Sequence, residues 1–241
     1  MKLFADTANL QEVEQALKRG MQGITTNPAI VANEPKGDFI GHIREIVSLI
    51  RRWGPDVPLS VEVFSQDPEE IIRQAHQFRH DLGYENLVIK VQVGWDELYV
   101  IRELKMKGFA VNCTCCMGIN QAVLAAQAGA RYVSLFWNRI RDGGKELDRE
   151  VIKSYVGVKF DKSDFDPFSV VQRTREIFDR SYCGVEIIVG SIRSALDVRD
   201  AGMAGAHIVT VQPKYLYDMS THFKTAEVVR EFIVKFQAWL S

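Results

Sequence analysis

The residue with the clearest capacity for chemistry is Lys90, in the middle of an apolar run over residues 86–93. The β-branched residues of this run predict a parallel strand that is buried on both faces. Lysine is rarely buried without a partner or a role, because removing an ammonium group from water is costly. Burial favours the uncharged amine, which attacks carbonyl carbons, so Lys90 is a candidate for forming a Schiff base. The structural alternative is a lysine that pairs with a carboxylate or extends to the surface.

A second feature is a set of polar side chains at the carboxyl ends of the predicted strands. They are Asp6, Thr25, Thr26, Asn27, Glu62, Lys90, Asn112, Thr114, Asn138, Arg139, Ser191 and Arg193. Each of them alone has a structural interpretation, such as a helix cap, a turn or a solvated charge. Their coincidence at one end of a parallel sheet predicts an active site there.

The ionisable members of this set suit carbon–carbon bond chemistry on a ketose. An iminium ion formed by Lys90 accepts the electrons that are released when the neighbouring carbon–carbon bond breaks. Asp6 is a candidate base for the hydroxyl proton. Glu62, through a water held by Thr114, is a candidate for moving protons while the Schiff base forms and hydrolyses. These four residues are the predicted catalytic group.

The other members suit substrate binding. Amide and hydroxyl groups hydrogen-bond sugar hydroxyls, and arginine with serine provides charge-assisted donors for a terminal phosphate. Phosphate sites of barrel enzymes often follow the seventh and eighth strands. The predicted binding residues are Thr26, Asn27, Asn112, Arg139, Ser191 and Arg193.

The elements that would position these residues alternate between strands and helices along the whole chain. Strands are predicted at 2–6, 24–27, 59–64, 87–93, 109–114, 132–136, 185–189 and 208–211, with about eight helices between and after them. Repeated right-handed crossovers predict a single (β/α)₈ barrel domain over residues 1–241. An open doubly wound sheet is the competing fold, but no Gly-x-Gly-x-x-Gly motif follows an early strand.

Two segments fall outside this alternation. A polar stretch at 142–167 predicts a loop with one helical piece, inserted into a strand-to-helix connection. Residues 224–241 predict a C-terminal helix that is apolar on more than one side. This helix could cover the barrel or pack on a neighbouring subunit.

Composition narrows the classes of partner and compartment. The 241-residue chain is 46% hydrophobic and 25% charged, with a formal net charge of -1. No basic stripe is present, so we expect no nucleic-acid partner. No apolar run approaches the roughly 18 residues of a membrane span, so we expect no membrane partner. An acid as early as Asp6 is unlike a signal peptide, and we expect a cytoplasmic protein.

The cysteines and histidines do not predict a metal centre. Cys113, Cys115 and Cys116 form a Cys-x-Cys-Cys motif, whose spacing matches neither paired zinc ligands nor a redox Cys-x-x-Cys. None of the five histidines has the spacing of metal ligands. We therefore expect no metal, and we interpret the cysteines as small core residues.

Six motifs, at residues 3–9, 23–30, 88–91, 112–114, 138–140 and 190–193, resemble those of the small transaldolase and fructose-6-phosphate aldolase-like family. The match covers almost the whole chain, and Gly-Ile-Thr-Thr-Asn-Pro-Ala-Ile at 23–30 is its most specific part. The resemblance implies a class I Schiff-base mechanism on an α/β barrel, with Lys90 as the nucleophile. It also implies sugar-phosphate substrates, no metal or organic cofactor, and ring-forming homo-oligomers.

Two positions resemble the transaldolase branch of this family. Glu62 stands where the aldolases have glutamine, and Phe136, a further substrate-contacting residue, stands where they have tyrosine. The resemblance therefore implies transfer of a dihydroxyacetone unit from a ketose phosphate to an aldose. The alternatives are an aldolase that releases free dihydroxyacetone and a non-catalytic sugar-phosphate-binding barrel. The sequence Val-Gln-Val-Gly-Trp at 91–95 departs from the proline and threonine that usually follow in the family's lysine strand.

Overall fold

The computed structural model describes residues 1–54, 56–146 and 159–240. Eight parallel strands close into a barrel in sequence order. They are β1 (Lys2–Asp6), β2 (Ile24–Thr25), β3 (Leu59–Glu62), β4 (Leu87–Gln92), β5 (Ala110–Cys116), β6 (Tyr132–Phe136), β7 (Glu186–Gly190) and β8 (Ile208–Val211). The predicted (β/α)₈ barrel is confirmed, and the open sheet is excluded because β1 pairs with β8.

The helices surround and extend this barrel. They are α1 (Leu10–Lys18), α2 (Pro28–Val31), α3 (Phe39–Trp53), α4 (Pro68–Leu82), α5 (Trp95–Met106), α6 (Ile119–Ala128), α7 (Trp137–Lys145), α8 (Pro167–Ser181), α9 (Ala195–Met203), α10 (Pro213–Met219) and α11 (Phe223–Leu240). Within the described ranges, none combines the length and apolar character that a membrane span requires.

Helix α4 shows how local sequence sets these boundaries. It begins at Pro68, whose fixed backbone suits the first helical turn, after Asp67 has accepted a hydrogen bond from the Glu69 amide. It ends at Gly83, which adopts the left-handed conformation with φ 52°. The apolar face of α4 then packs on the barrel through residues such as Phe78, which is 2% exposed.

The inward-facing side chains of the strands form two successive layers. The layer at the amino end is apolar and consists of Phe4, Val88, Tyr132, Ile188 and Ile208. The positions two residues further along the same strands are Asp6, Lys90, Ser134, Gly190 and Thr210. Because side chains alternate along a strand, these second positions also face inward, one layer closer to the carboxyl end. The polar layer is therefore positioned directly above an apolar plug.

Strand β5 contains an irregularity at the polar layer. Cys113 pairs with Val133 and Cys116 with Leu135, so two residues of β5 oppose the single residue between those partners. One of the two, Cys115, has φ 62°, which is unfavourable for a non-glycine residue. The bulge extends β5 beyond its predicted end at Thr114.

The same bulge separates the clustered cysteines. Cys113 and Cys116 are buried in the core, with their sulfur atoms 3.9 Å apart, as the sequence predicted. Cys115 is only partly buried, so the core interpretation was wrong for this member of the motif.

The predictions for the two segments outside the alternation can now be compared with the structure. Residues 147–158 of the predicted 142–167 insertion lie outside the described residues. In the described part of the insertion, α7 continues to Lys145 and a 3₁₀ helix spans Lys162–Phe165 before α8. The C-terminal helix is confirmed as α11, but it buries none of its residues. Phe223 and Trp239 are 78% and 76% exposed. Helix α11 therefore does not cover the barrel of its own chain.

Candidate active site

A cavity of about 560 Å³ opens at the carboxyl ends of the strands. Side chains or backbone from all eight strands, or from the residues that directly follow them, contribute to its wall. The polar and thiol-bearing residues among them include Asp6, Thr25, Asn27, Glu62, Lys90, Thr114, Cys115, Ser134, Arg139, Ser191 and Thr210. The predicted convergence of strand ends therefore produces one concave site in which many polar side chains meet.

Lys90 lies at the inner end of this cavity. Its Nζ donates a hydrogen bond to the Thr26 carbonyl at 2.8 Å and lies 2.7 Å from Oε2 of Glu62. Glu62 and Lys90 are register partners on neighbouring strands, which fixes this contact. The two side chains are only 13% and 7% exposed. The lysine is thus paired with a carboxylate, and that carboxylate is close enough to take a proton from it directly.

Asp6 is the second carboxyl group at this level. It accepts a hydrogen bond from Thr25 Oγ1 at 2.7 Å, and Thr25 in turn lies 2.5 Å from Thr210 Oγ1. Burial raises the pKa of Asp6 above its usual range, although Lys90 and the Thr25 hydroxyl partly oppose this rise. A carboxylate with a raised pKa is a stronger base, which suits proton abstraction from a hydroxyl group.

Two buried polar groups beside Lys90 have no partner among the described residues. They are Nδ2 of Asn112 and the hydroxyl of Thr114. The other end of the Asn112 amide is satisfied, because Oδ1 accepts a hydrogen bond from Ser134 Oγ at 2.7 Å. Leaving a buried polar group unpaired costs about 1–3 kcal/mol, so these two groups mark a place where a polar ligand would be stabilised.

The outer part of the cavity carries the groups predicted to bind an anion. Arg139 and Ser191 line it, and Ser191 has φ 58°. Arg193 does not line it: its guanidinium holds the carboxylate of Asp142, with distances of 2.6 and 3.2 Å. This pairing raises the pKa of Arg193 and lowers that of Asp142.

The structure therefore brings together most, but not all, of the predicted site residues. Those that line the cavity are Asp6, Asn27, Glu62, Lys90, Thr114, Phe136, Arg139 and Ser191. Three do not. Thr26 contacts Lys90 only through its carbonyl, and its hydroxyl donates to Ser60 O. Asn112 is 0% exposed and is not among the lining residues, and Arg193 is held by Asp142.

Several residues of the cavity wall were not predicted from the sequence, and Ser134, Thr210 and Cys115 are among them. Ser134 and Thr210 stand two residues after inward-facing members of the apolar plug, so strand alternation was a usable signal for both. Cys115 had no such signal, because only the bulge turns it towards the cavity.

Comparisons with known proteins identify the family of this chain. The family model "Transaldolase/Fructose-6-phosphate aldolase" matches residues 3–239. A "Probable transaldolase" of Symbiobacterium thermophilum is 34% identical, over 99% of this chain and 98% of that protein. Another from Carboxydothermus hydrogenoformans is 34% identical, over 99% of each chain. A third, from Desulforudis audaxviator, is 35% identical, over 97% of this chain and 96% of the relative.

A solved structure supports the fold independently. Thiamine phosphate pyrophosphorylase from Pyrococcus furiosus superposes with a TM-score of 0.55 at 12% identity, covering 88% of this chain and 85% of that one. At this identity the likeness concerns the barrel alone. The match of the family model and of the relatives over almost the full length is different in kind, and it shows that the chain belongs to the transaldolase/fructose-6-phosphate aldolase family.

Proposed function

We propose that this protein is a transaldolase that moves a dihydroxyacetone unit from a ketose phosphate, such as fructose 6-phosphate, to an aldose acceptor through a Schiff base on Lys90. The observation that carries the proposal is the position of the Lys90 amine, which is almost buried in the cavity and 2.7 Å from the Glu62 carboxylate. The names of the relatives, which are all probable transaldolases, support the same reaction.

The contact between Lys90 and Glu62 suits the formation of the Schiff base. Glu62 takes a proton from the Lys90 ammonium, and the freed lone pair attacks the ketone carbon of the donor. The carbonyl oxygen takes one proton from the attacking nitrogen and a second, the one held by Glu62, and leaves as water, which yields the iminium ion. The unpartnered Thr114 hydroxyl supports this step, because it can hold the departing water.

Asp6 then carries out the cleavage. Its carboxylate takes the proton from the hydroxyl group on the far carbon of the bond that breaks, and that carbon leaves as an aldehyde. The bonding electrons move to the iminium nitrogen and give a neutral enamine on Lys90. An acceptor aldehyde reverses these steps: the enamine carbon attacks it, Asp6 returns its proton, and water releases the new ketose. The raised pKa of Asp6 suits both directions of this transfer.

Phe136 favours transfer over release of free dihydroxyacetone. It lines the cavity and has no hydroxyl group, so its position offers no proton donor to the enamine carbon. The enamine then persists until an aldehyde arrives. Asn27, also on the wall, is suited to a sugar hydroxyl, while Arg139 and Ser191 are suited to the phosphate group.

The test is an assay of fructose 6-phosphate with and without an aldose phosphate acceptor, scored by product mass. We expect a new ketose phosphate only when the acceptor is present. Lys90→Ala should abolish it, while the matched control Lys107→Ala, an exposed lysine directly after α5, should not. Release of dihydroxyacetone without an acceptor would instead identify an aldolase, and stabilisation by ligand with no turnover would identify a binding protein.

We also propose that the chain forms a homo-oligomer, in which α11 packs on a neighbouring copy. Its exposed side chains include Phe223, Phe232, Phe236 and Trp239, an apolar area that a monomer would leave in water. Molar mass from light scattering should be a multiple of 27.4 kDa. Phe232→Ser with Phe236→Ser should lower it to that of the monomer, and an unchanged mass would exclude α11 as the interface.

A further inference from the structure

We propose that Asp197 is a positioning residue for the anionic group of the substrate. Together with Asn138 it fixes the turn from Ser191 to Arg193 at the outer part of the cavity. This inference rests on the proposed function, in which that turn receives a phosphate group. Neither Asp197 nor Asn138 has a role in the chemistry at Lys90.

Asp197 lies in the first turn of α9 and is 5% exposed. Its Oδ2 accepts two hydrogen bonds, from the backbone amide of Arg193 at 2.9 Å and from Nδ2 of Asn138 at 2.8 Å. Its Oδ1 lies 3.5 Å from Arg141 Nη1. A buried carboxylate is stabilised only when such partners are present, so the contacts to both sides of the turn are structurally significant.

Asn138 completes the connection from the other side. Its Nδ2 also donates to the Ser191 carbonyl at 2.8 Å, and its backbone amide contacts the same oxygen at 3.3 Å. Its Oδ1 accepts from Arg141 at 3.0 Å. Since Asn138 is in the first turn of α7 and Asp197 is in α9, the two residues hold the turn between two elements of the scaffold.

The backbone of Ser191 shows why the turn needs this support. Its φ of 58° is in the left-handed region, which a serine adopts only when its surroundings favour it. Its carbonyl is fixed by Asn138, and the amide of Arg193, two residues later, is fixed by Asp197. This geometry places Ser191 on the cavity wall beside Arg139.

The negative charge of Asp197 cannot attract an anion, so its role is to position the turn. A carboxylate this close to an anion site repels the anion, so a neutral residue would serve better if charge alone mattered. Burial by itself would raise the pKa of Asp197, but the hydrogen bonds from Asn138 and the Arg193 amide, with the charge of Arg141, lower it. The group therefore stays ionised, and the ionised form is the one that accepts both hydrogen bonds.

The experiment compares three variants on substrates with and without a phosphate group. They are Asp197→Ala, Asp197→Asn, which keeps one acceptor oxygen and the side-chain shape, and the control Asp200→Asn. Asp200 is on the same helix but pairs with Arg199 at the surface. The measurements are KM and kcat for fructose 6-phosphate and for fructose, and the Kd of inorganic phosphate by competition or calorimetry.

For Asp197→Ala we expect KM for fructose 6-phosphate and Kd for phosphate to rise about tenfold, as the loss of such hydrogen bonds implies. The kcat for fructose 6-phosphate and the KM for fructose should stay within about twofold of the wild-type values. Fructose has no phosphate group, so a change at the phosphate site should not affect its binding. Asp197→Asn should have a smaller effect and Asp200→Asn none. Asn138→Ala should reproduce the pattern and serves if Asp197→Ala does not fold.

Two results would overturn the proposal: unchanged phosphate binding in Asp197→Ala, or an equal loss for fructose and fructose 6-phosphate, which indicates a general structural role. Phosphate binding also separates this inference from the proposed function. If the wild-type protein turns over no ketose but Asp197→Ala still weakens phosphate binding, the positioning role stands and the transaldolase assignment falls.

Discussion

The two ends of the barrel interior are built from the same strands but differ in the polarity of their inward-facing side chains. At the amino end the inward side chains are Phe4, Val88, Tyr132, Ile188 and Ile208. Two residues later the same strands carry Asp6, Lys90, Ser134, Gly190 and Thr210. Two residues along each strand therefore separate a buried apolar plug from the cavity that holds Lys90.

The unfavourable features of the described residues are concentrated at the second of these ends. Both non-glycine residues with positive φ, Cys115 and Ser191, line the cavity. The unpartnered groups of Asn112 and Thr114 lie beside it, and Asp6 has a raised pKa because it is buried. The apolar plug therefore stabilises the barrel, whereas the cavity contains backbone strain and unpaired polar groups that lower its stability.

The largest effect that separates the two ends is expected for Asp6→Asn. Loss of the base should lower kcat by about 10²–10⁴-fold, while the unfolding free energy at pH 7 should rise. The sign follows from the raised pKa of Asp6, because its contribution to stability is present when it is protonated and is lost as pH rises through the folded-state pKa. The excess unfolding free energy of Asp6→Asn over the wild-type protein should therefore become smaller as the pH falls.

Kinetic assays and denaturant unfolding at several pH values between 4 and 8 provide the measurement. The matched control is Asp200→Asn, a partly exposed carboxylate whose replacement should change neither quantity. A stability gain of the Asp6 variant that grows as pH falls would contradict the assignment of a raised pKa.

The converse change is Phe4→Ala in the plug. Phe4 is 1% exposed, and truncation of a buried phenylalanine costs about 3–5 kcal/mol of unfolding free energy. The kcat of the remaining folded protein should stay within about twofold, because the plug makes no contact with the substrate. Chemical unfolding monitored with an activity assay checks both parts, and a kcat loss as large as that of Asp6→Asn would remove the distinction between the two ends.

The sequence was sufficient for the fold and for eight of the eleven residues predicted to form the site, which line the cavity. Alternating elements, capped helices and the isolated Lys90 predicted a closed barrel with a polar mouth, and strand boundaries such as Tyr132–Phe136 matched the structure. These are local patterns, which propensity and periodicity report directly.

What the sequence did not predict depends on tertiary geometry. The position of Cys115 is set by a bulge between β5 and β6, and that of the Arg193 side chain by Asp142, which is 51 residues away in the chain. The exposed state of α11 could not be inferred either, since an apolar helix can cover its own chain or a neighbour.

A smaller effect at the mouth is expected for Asp142→Asn. The carboxylate now holds the guanidinium of Arg193, whose side chain is 47% exposed, and an ion pair this open to solvent contributes little to stability. Releasing the guanidinium should lower KM for fructose 6-phosphate by up to about fivefold, with kcat and KM for fructose unchanged. The matched control is Glu70→Gln, which removes an exposed pair with Arg73. A higher KM would mean that Asp142 orients Arg193 for binding rather than competing with the substrate.

The most direct test of the account is chemical trapping of the covalent intermediate. The protein is incubated with fructose 6-phosphate, reduced with borohydride and digested, and the peptides are identified by mass spectrometry. We predict a three-carbon adduct on Lys90, fully dependent on the substrate and missing from Lys90→Met. An adduct on another lysine, or transfer activity that survives in Lys90→Met, would contradict the central claim that the Lys90 amine forms the Schiff base.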